Sequence, residues 1–222
     1  MVSGATEHRM AMGELLQLMG SYDLAETENS RFIAEVLAAG WAHVEIWARP
    51  LMAATLLALG RYTEARQALQ SNIAALEQTG QYRMLGRTLA MAGRAELGLG
   101  NLAAAWGHAL RAVQLLSGRH YFWLLEAMAA VAAVLAQRSE AERAVEIYAL
   151  LNRHDYVANA RWFGDVFGQV VEEAAANLPP DTVATAKARG EASDLWQMAQ
   201  DLLAEYDARL PQWDFDAELV SG

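Results

Sequence analysis

The stretch Leu56-Leu57-Ala58-Leu59-Gly60-Arg61-Tyr62-Thr63-Glu64-Ala65 has counterparts forty residues to either side. Leu15 to Met19 closes on Gly20 and reopens as Ser21-Tyr22-Asp23-Leu24-Ala25, and Leu97 to Leu99 closes on Gly100 and reopens as Asn101-Leu102-Ala103-Ala104-Ala105. A fourth, weaker copy reads Ser139-Glu140-Ala141-Glu142-Arg143-Ala144. Halfway between these breaks lie Gly40, Gly80 and Gly118. A glycine that recurs about every twenty residues leaves room for a helix of four to five turns on each side, so each forty-residue copy is expected to be a helical hairpin.

Small residues keep the same register. Gly13, Ala53, Gly93 and Ala132 share one position of the first helix, and Ala25, Ala65, Ala105 and Ala144 share one of the second. Two helices approach closely only where side chains are small, so these positions are expected to set the interhelical distance. Larger apolar residues such as Met12, Leu16, Met52, Leu56, Leu69, Ile73, Val113 and Leu116 sit around them at helical spacing and fill the core.

The 222-residue composition supports an all-α reading. Hydrophobic residues make up 54% of the chain, enough for a sizeable core. About a fifth of the residues are Ala and only 4 are Pro, which favours closely packed helices over sheet. The net charge of −10 disfavours direct binding to a nucleic-acid backbone. With no Cys, disulfides, thiol nucleophiles and cysteine zinc sites are excluded, and a cytoplasmic setting is expected. The N-terminal residues carry Glu7, His8 and Arg9 and no signal-peptide core. The longest apolar run, Tyr121 to Ala136, is interrupted by Glu126 and is too short for a membrane span, so no membrane partner is expected.

The register of small residues and the Gly-x-Tyr turns (Gly20-Ser21-Tyr22 and Gly60-Arg61-Tyr62) resemble the tetratricopeptide-repeat class of helical solenoids, over about Glu7 to Leu151. The aromatic usual early in helix A of that class is replaced by Arg9, Arg49, Leu89 or Met128, and the terminal Pro of its shorter repeat is missing. The forty-residue period is more similar to the sensor repeats of MalT-like and LuxR-type bacterial signal-transduction ATPase regulators. The resemblance implies a right-handed α-α superhelix of about four TPR-like hairpins over residues 1–154, followed by C-terminal helices over 155–210 that cap the same solenoid. Two features of the later sequence fit such a cap: a helix from Trp162 to Asn177 with Trp162, Phe163, Val166, Phe167, Val170 and Val171 on one stripe, and Leu178 to Gly190, which resembles a short helix closed by an x-Gly turn, followed by an amphipathic helix from Leu195. Pro211 should stop the last helix, leaving 211–222 as a loose acidic tail.

No constellation points to catalysis, and no cofactor or metal is expected. Gly98-Leu99-Gly100-Asn101-Leu102-Ala103 formally fits a dinucleotide fingerprint, but it lies between two helices and not after a strand. His43-Val44-Glu45 lacks the cysteines a deaminase zinc site needs, and the other histidines lack a second ligand at i+4. Lys187 is the single lysine, and no phosphate-binding loop is present.

What is left is a surface. Helix A of each copy should line the concave side, which places Glu7, Glu14, Gln17, Trp47, Arg87, Arg94 and Glu126 in one groove. Arg87 and Arg94, at i and i+7, form a candidate guanidinium pair for a carboxylate or phosphate, and Trp47 a flat apolar anchor. The alternative has both arginines paired with acids such as Glu96 and Glu126 while Trp47 packs beside Pro50. Pro50 should either start its helix or kink it. The expected function is a non-enzymatic module that binds a protein, a peptide or a small inducer; the alternative is a free-standing scaffold that self-associates or bridges proteins.

Overall fold

In a computed structural model, which describes residues 4–206, the chain is an all-α helical-repeat superhelix; no strand occurs among the described residues. Four hairpins succeed one another: α1 (Gly4–Leu18) with α2 (Tyr22–Ala38), α3 (Ala42–Ala58) with α4 (Tyr62–Thr79), α5 (Tyr82–Gly98) with α6 (Leu102–Leu116), and α7 (Tyr121–Gln137) with α8 (Ala141–Leu151). Each helix packs on the next in sequence, and α1, α3, α5 and α7 also pack side by side as an inner layer.

The expected breaks fall where the glycines stand. All six adopt left-handed φ, between 63° and 83°. At Gly60 the amide donates to Leu57 O at 3.1 Å and the Arg61 amide to Leu56 O at 2.9 Å, a paired cap that satisfies the last carbonyls of α3. Gly20, Gly40 and Gly100 repeat it. In the fourth copy Ser139 holds the same conformation, at φ 64°.

The small-residue register sets the helix approach. Ala25, Ala65, Ala105 and Ala144 are all 0% exposed. A Cβ at Gly13 would collide with Asn29 Oδ1, and one at Gly93 would lie 3.1 Å from Ala105 O. Two buried asparagines add polar stitches between hairpins. Asn29 Nδ2 donates to Thr55 Oγ1 at 3.0 Å, and Asn72 Nδ2 to Thr88 Oγ1 at 3.3 Å and Ile46 O at 3.2 Å. The last bond explains how Pro50 is tolerated. Helix α3 begins eight residues before it and runs through it; Pro50 has no N–H for Ile46 O, and the Asn72 amide supplies the missing donor.

After α8 come α9 (Asp155–Ala158), α10 (Arg161–Phe163), a π-turn over Gly164–Gly168 and α11 (Gln169–Ala175). The last three run on without a break, as the apolar stripe predicts. The C-terminal half of this rod, α11, stacks on α7 and α8 of the last hairpin, while its N-terminal half, α10 and the π-turn, reaches across the inner layer to α1 and α3. Helix α12 (Pro180–Ala192) does cover the flank of the last hairpin, packed along α8, and α13 (Leu195–Tyr206) reaches α6 and α8, with Tyr206 edge-on to Trp106 at 4.8 Å. Gly190 is a contact glycine and not a turn: a Cβ there would collide with Glu146 O of α8. The chain turns instead at Ser193-Asp194, where Asp194 Oδ1 accepts from the Trp196 and Gln197 amides. The expected tail, 211–222, lies outside the described residues. Among those residues no helix is long and apolar enough to cross a membrane.

Candidate functional site

The inner face that sequence reasoning leaves as an open groove is largely filled by the chain itself. Trp162, Phe163, Val166 and Phe167 are at most 1% exposed. The rod is pinned at three points of the hairpins. Trp162 Nε1 donates to Ala54 O at 2.9 Å, Arg94 Nε to Val166 O at 2.5 Å, and Tyr22 Oη to Asp165 Oδ2 at 2.7 Å. The Val166 carbonyl belongs to the π-turn, where the widened winding presents a backbone acceptor to a side chain. Arg94 is 6% exposed, and its other contacts are Tyr62 Oη at 3.1 Å and the Tyr62 ring at 4.9 Å. It is therefore a clamp on the rod and not half of a guanidinium pair with Arg87. The apolar stripe of Arg161–Ala175 accounts for the difference: left in water it would expose four large apolar side chains, and the inner layer is the apolar surface that takes them.

A cleft of about 450 Å³ remains at the mouth of the inner face. Glu14, Leu15 and Leu18 of α1 form one wall; Phe122 and Trp123, at the start of α7, and Tyr156 of α9 form the other, with His120 at its end. Phe122 is 50% and Leu15 52% exposed, and the half-exposed Trp47 and Tyr121 pack against Trp123 and Phe122. A cluster of large apolar groups left in water at a concave place is the usual mark of a binding surface.

Beneath it runs a buried charge network. Arg87 Nε donates to Glu126 Oε2 at 3.1 Å, Arg87 Nη2 to Glu14 Oε1 at 3.3 Å, and Tyr156 Oη to Glu126 Oε1 at 3.2 Å. Burial raises Glu126 above the ordinary carboxylate range, outweighing the nearby Arg87 charge. Burial works against the Arg87 charge too, but Glu126 and Glu14 overcome it and hold the guanidinium protonated. Burial also raises the Tyr156 phenol, with the Glu126 charge adding to it, so the hydroxyl stays a donor. Arg87 lies 5.6 Å from the Trp123 ring centre, and His120 stacks on Trp123 with centroids 4.0 Å apart. His120 Nδ1 accepts from the Trp123 amide at 3.4 Å, capping α7, and burial lowers its pKa.

No protein-family model, curated protein or solved structure matches this chain.

Of the residues expected in the groove, Glu14, Arg87 and Glu126 meet in one network, and Trp47 stands beside it, 6.0 Å from Trp123 between ring centres. The pairing of Arg87 with Glu126 is the one weighed as the alternative. Gln17 is 1% exposed, one turn beyond Glu14, with its Oε1 unpartnered among the described residues. Glu7 is exposed at the start of α1. Sequence reasoning missed His120, Phe122, Trp123 and Tyr156. The signal for two of them was present: Phe122 and Trp123 open helix A of the fourth copy, where the earlier copies carry Arg83-Met84 and His43-Val44. Among the described residues no group of three or more His, Asp or Glu is placed to hold a metal.

Proposed function

We propose that this chain is a non-enzymatic, TPR-like recognition module whose ligand or partner enters at the α1–α7 mouth, and that it serves as the cytoplasmic sensor part of a bacterial transcriptional or signal-transduction regulator. The observation that carries the reading is the half-exposed apolar cluster around Phe122, set directly over the Glu14–Arg87–Glu126 network. A binding role is favoured over a catalytic one because Arg87 and Glu126 spend their hydrogen-bonding capacity on each other and on Tyr156. The regulator setting rests on the repeat register and the Gly-x-Tyr turns. Occupancy of the mouth would tie α1 to α7, the first hairpin to the fourth, and a ligand that does so favours one curvature of the array over another.

The scaffold reading has its own support in the first hairpin, where Met12 and Leu24 are about half exposed over a shallow hollow. Light scattering combined with hydrogen exchange separates the two. The sensor reading expects a monomer in which Phe122→Ala leaves the oligomeric state unchanged, and in which added ligand slows exchange at residues 11–18 and 120–126. A stable oligomer that protects the same residues without any ligand would overturn it.

A further inference from the structure

We infer that the α1–α7 cleft binds a monovalent organic cation with an apolar body, an amine or quaternary ammonium seated between Glu14 and the corner made by Phe122 and Tyr156. The inference rests on the reading of this cleft as a recognition site and adds the chemistry of what enters it.

Charge comes first. Two carboxylates, Glu14 and Glu126, share one guanidinium, so with Glu126 ionised against Arg87 the network carries a net −1 at the cleft. Glu126 uses both oxygens, on Arg87 and Tyr156, whereas Glu14 bonds Arg87 through Oε1 alone and its side chain is 40% exposed. The uncommitted charge is therefore Glu14 Oε2, at the rim where a ligand would arrive. Arg83, whose charge reaches His120, is solvent-exposed and does not line the cleft.

The walls set the rest of the ligand. Phe122 and Tyr156 stand at 69° with centroids 5.2 Å apart, two ring planes forming a corner. Aromatic rings meeting at an angle beside a carboxylate suit a cation with a carbon body, whose charge is attracted to the ring faces while its body covers them. An anion would meet Glu14 before it met Arg87, whose side chain is 9% exposed. A neutral apolar ligand would strip water from Glu14 without giving it a partner. The chain's charge of −10 adds a general field that draws cations in.

The cation could arrive as a free amine or as a Lys side chain of a peptide, and the chemistry is the same. The test titrates the full chain with phenethylamine, its neutral counterpart phenethyl alcohol, the anion phenylacetate, and an acetylated pentapeptide with a single Lys, followed by calorimetry and tryptophan fluorescence. Phenethylamine or the peptide should bind saturably and at least about tenfold more tightly than the alcohol, with phenylacetate weaker still. Glu14→Gln should remove most of that preference and Phe122→Ala should weaken the cation by a similar factor; circular dichroism and melting temperature control for folding in both. Tighter binding of the peptide assigns the cation to a polypeptide, and of the amine to a small molecule. If the alcohol or phenylacetate binds as tightly as the amine and Phe122→Ala weakens it, the cation inference falls while the cleft remains a recognition site. If neither substitution changes the binding of any probe, both fall.

Discussion

Arg94, in the middle of α5, donates from Nε to the carbonyl of Val166 at 2.5 Å across 72 residues of sequence. The bond ties the third hairpin to the π-turn of a rod that the chain lays along its own inner face. Arg94→Met keeps much of the apolar stem but removes the buried, charge-assisted bond to Val166 O. Loss of such a bond costs about 1–3 kcal/mol. Urea denaturation followed by tryptophan fluorescence should show that loss, and hydrogen exchange should quicken in residues 161–175 before it does in α5. Unchanged stability would mean that the rod is held by its apolar stripe and by the Trp162 and Tyr22 bonds without help from Arg94.

Ser139 is the place where the fourth copy departs from the glycine pattern. It holds φ 64°, a conformation the other copies give to glycine. A side-chain-bearing residue there costs about 1–2 kcal/mol in local sterics, against about 0.5–1 kcal/mol of extra chain entropy that glycine loses on folding. Ser139→Gly should therefore raise stability by about 0.5–1 kcal/mol. The reverse change in the third turn, Gly100→Ser, should lower it by a similar amount, since φ there is 79° and the surroundings are open. Thermal melts of the two variants compared with the parent give the sign directly.

How much of this was legible in the residues depends on whether the sequence repeats. Local signals repeat: a glycine every twenty positions and small residues in register fixed four hairpins, their turns and the Ala25, Ala65, Ala105 and Ala144 contacts. The stripe from Trp162 to Val171 marked a helix, yet no local signal said where it would dock, because an apolar stripe specifies a need for cover and not the surface that provides it. For this reason Arg94 looked like a groove residue. Arg87 and Glu126 were legible as a pair because they occupy the same register position in adjacent copies, 39 residues apart. Tyr156 was not, since α9 belongs to no repeat. Gly190 was misread because a glycine that closes a helix and one that admits a neighbouring backbone look alike in one dimension.

His108, on α6, is pushed below the ordinary histidine pKa of 6.5, chiefly by burial, which disfavours the imidazolium. A depressed folded-state pKa means that the unfolded chain binds the proton more readily. The stability His108 contributes is therefore complete above about pH 6.5 and is lost as the pH falls through its folded value. Glu126 acts in the opposite sense: raised by burial, it favours the folded state as pH falls. The net slope of the parent protein mixes these two with other shifted groups such as His120 and His154, so the variant difference is the readout. Between pH 7.5 and 5.5 the His108→Gln protein should lose less unfolding free energy than the parent. Parallel slopes would show that the imidazole is as readily protonated folded as unfolded.

Arg87 and Glu126 are the most informative pair to break. Their side chains are 9% and 2% exposed, so each charge depends on the other for compensation that water would otherwise supply. Removing one partner of such a pair costs about 3–5 kcal/mol, most of it the penalty of a buried charge left alone, whereas replacing both by apolar groups of similar volume is often close to neutral. The two single changes need not be equal. Arg87→Met leaves two carboxylates, Glu14 and Glu126, with Tyr156 as the remaining donor to the buried one, and its burial-raised pKa lets Glu126 escape by taking up a proton. Glu126→Leu leaves a guanidinium that cannot neutralise itself but keeps Glu14 at 3.3 Å. Arg87→Met should therefore recover part of its lost stability on acidification from pH 7.5 to 5.5, whereas Glu126→Leu should not. The double variant should be more stable than the sum of the two single losses predicts, giving a coupling of about 1–3 kcal/mol in a denaturation cycle. Additive losses would show that the two groups act independently, and that the charge beneath the cleft is not the shared one the geometry describes.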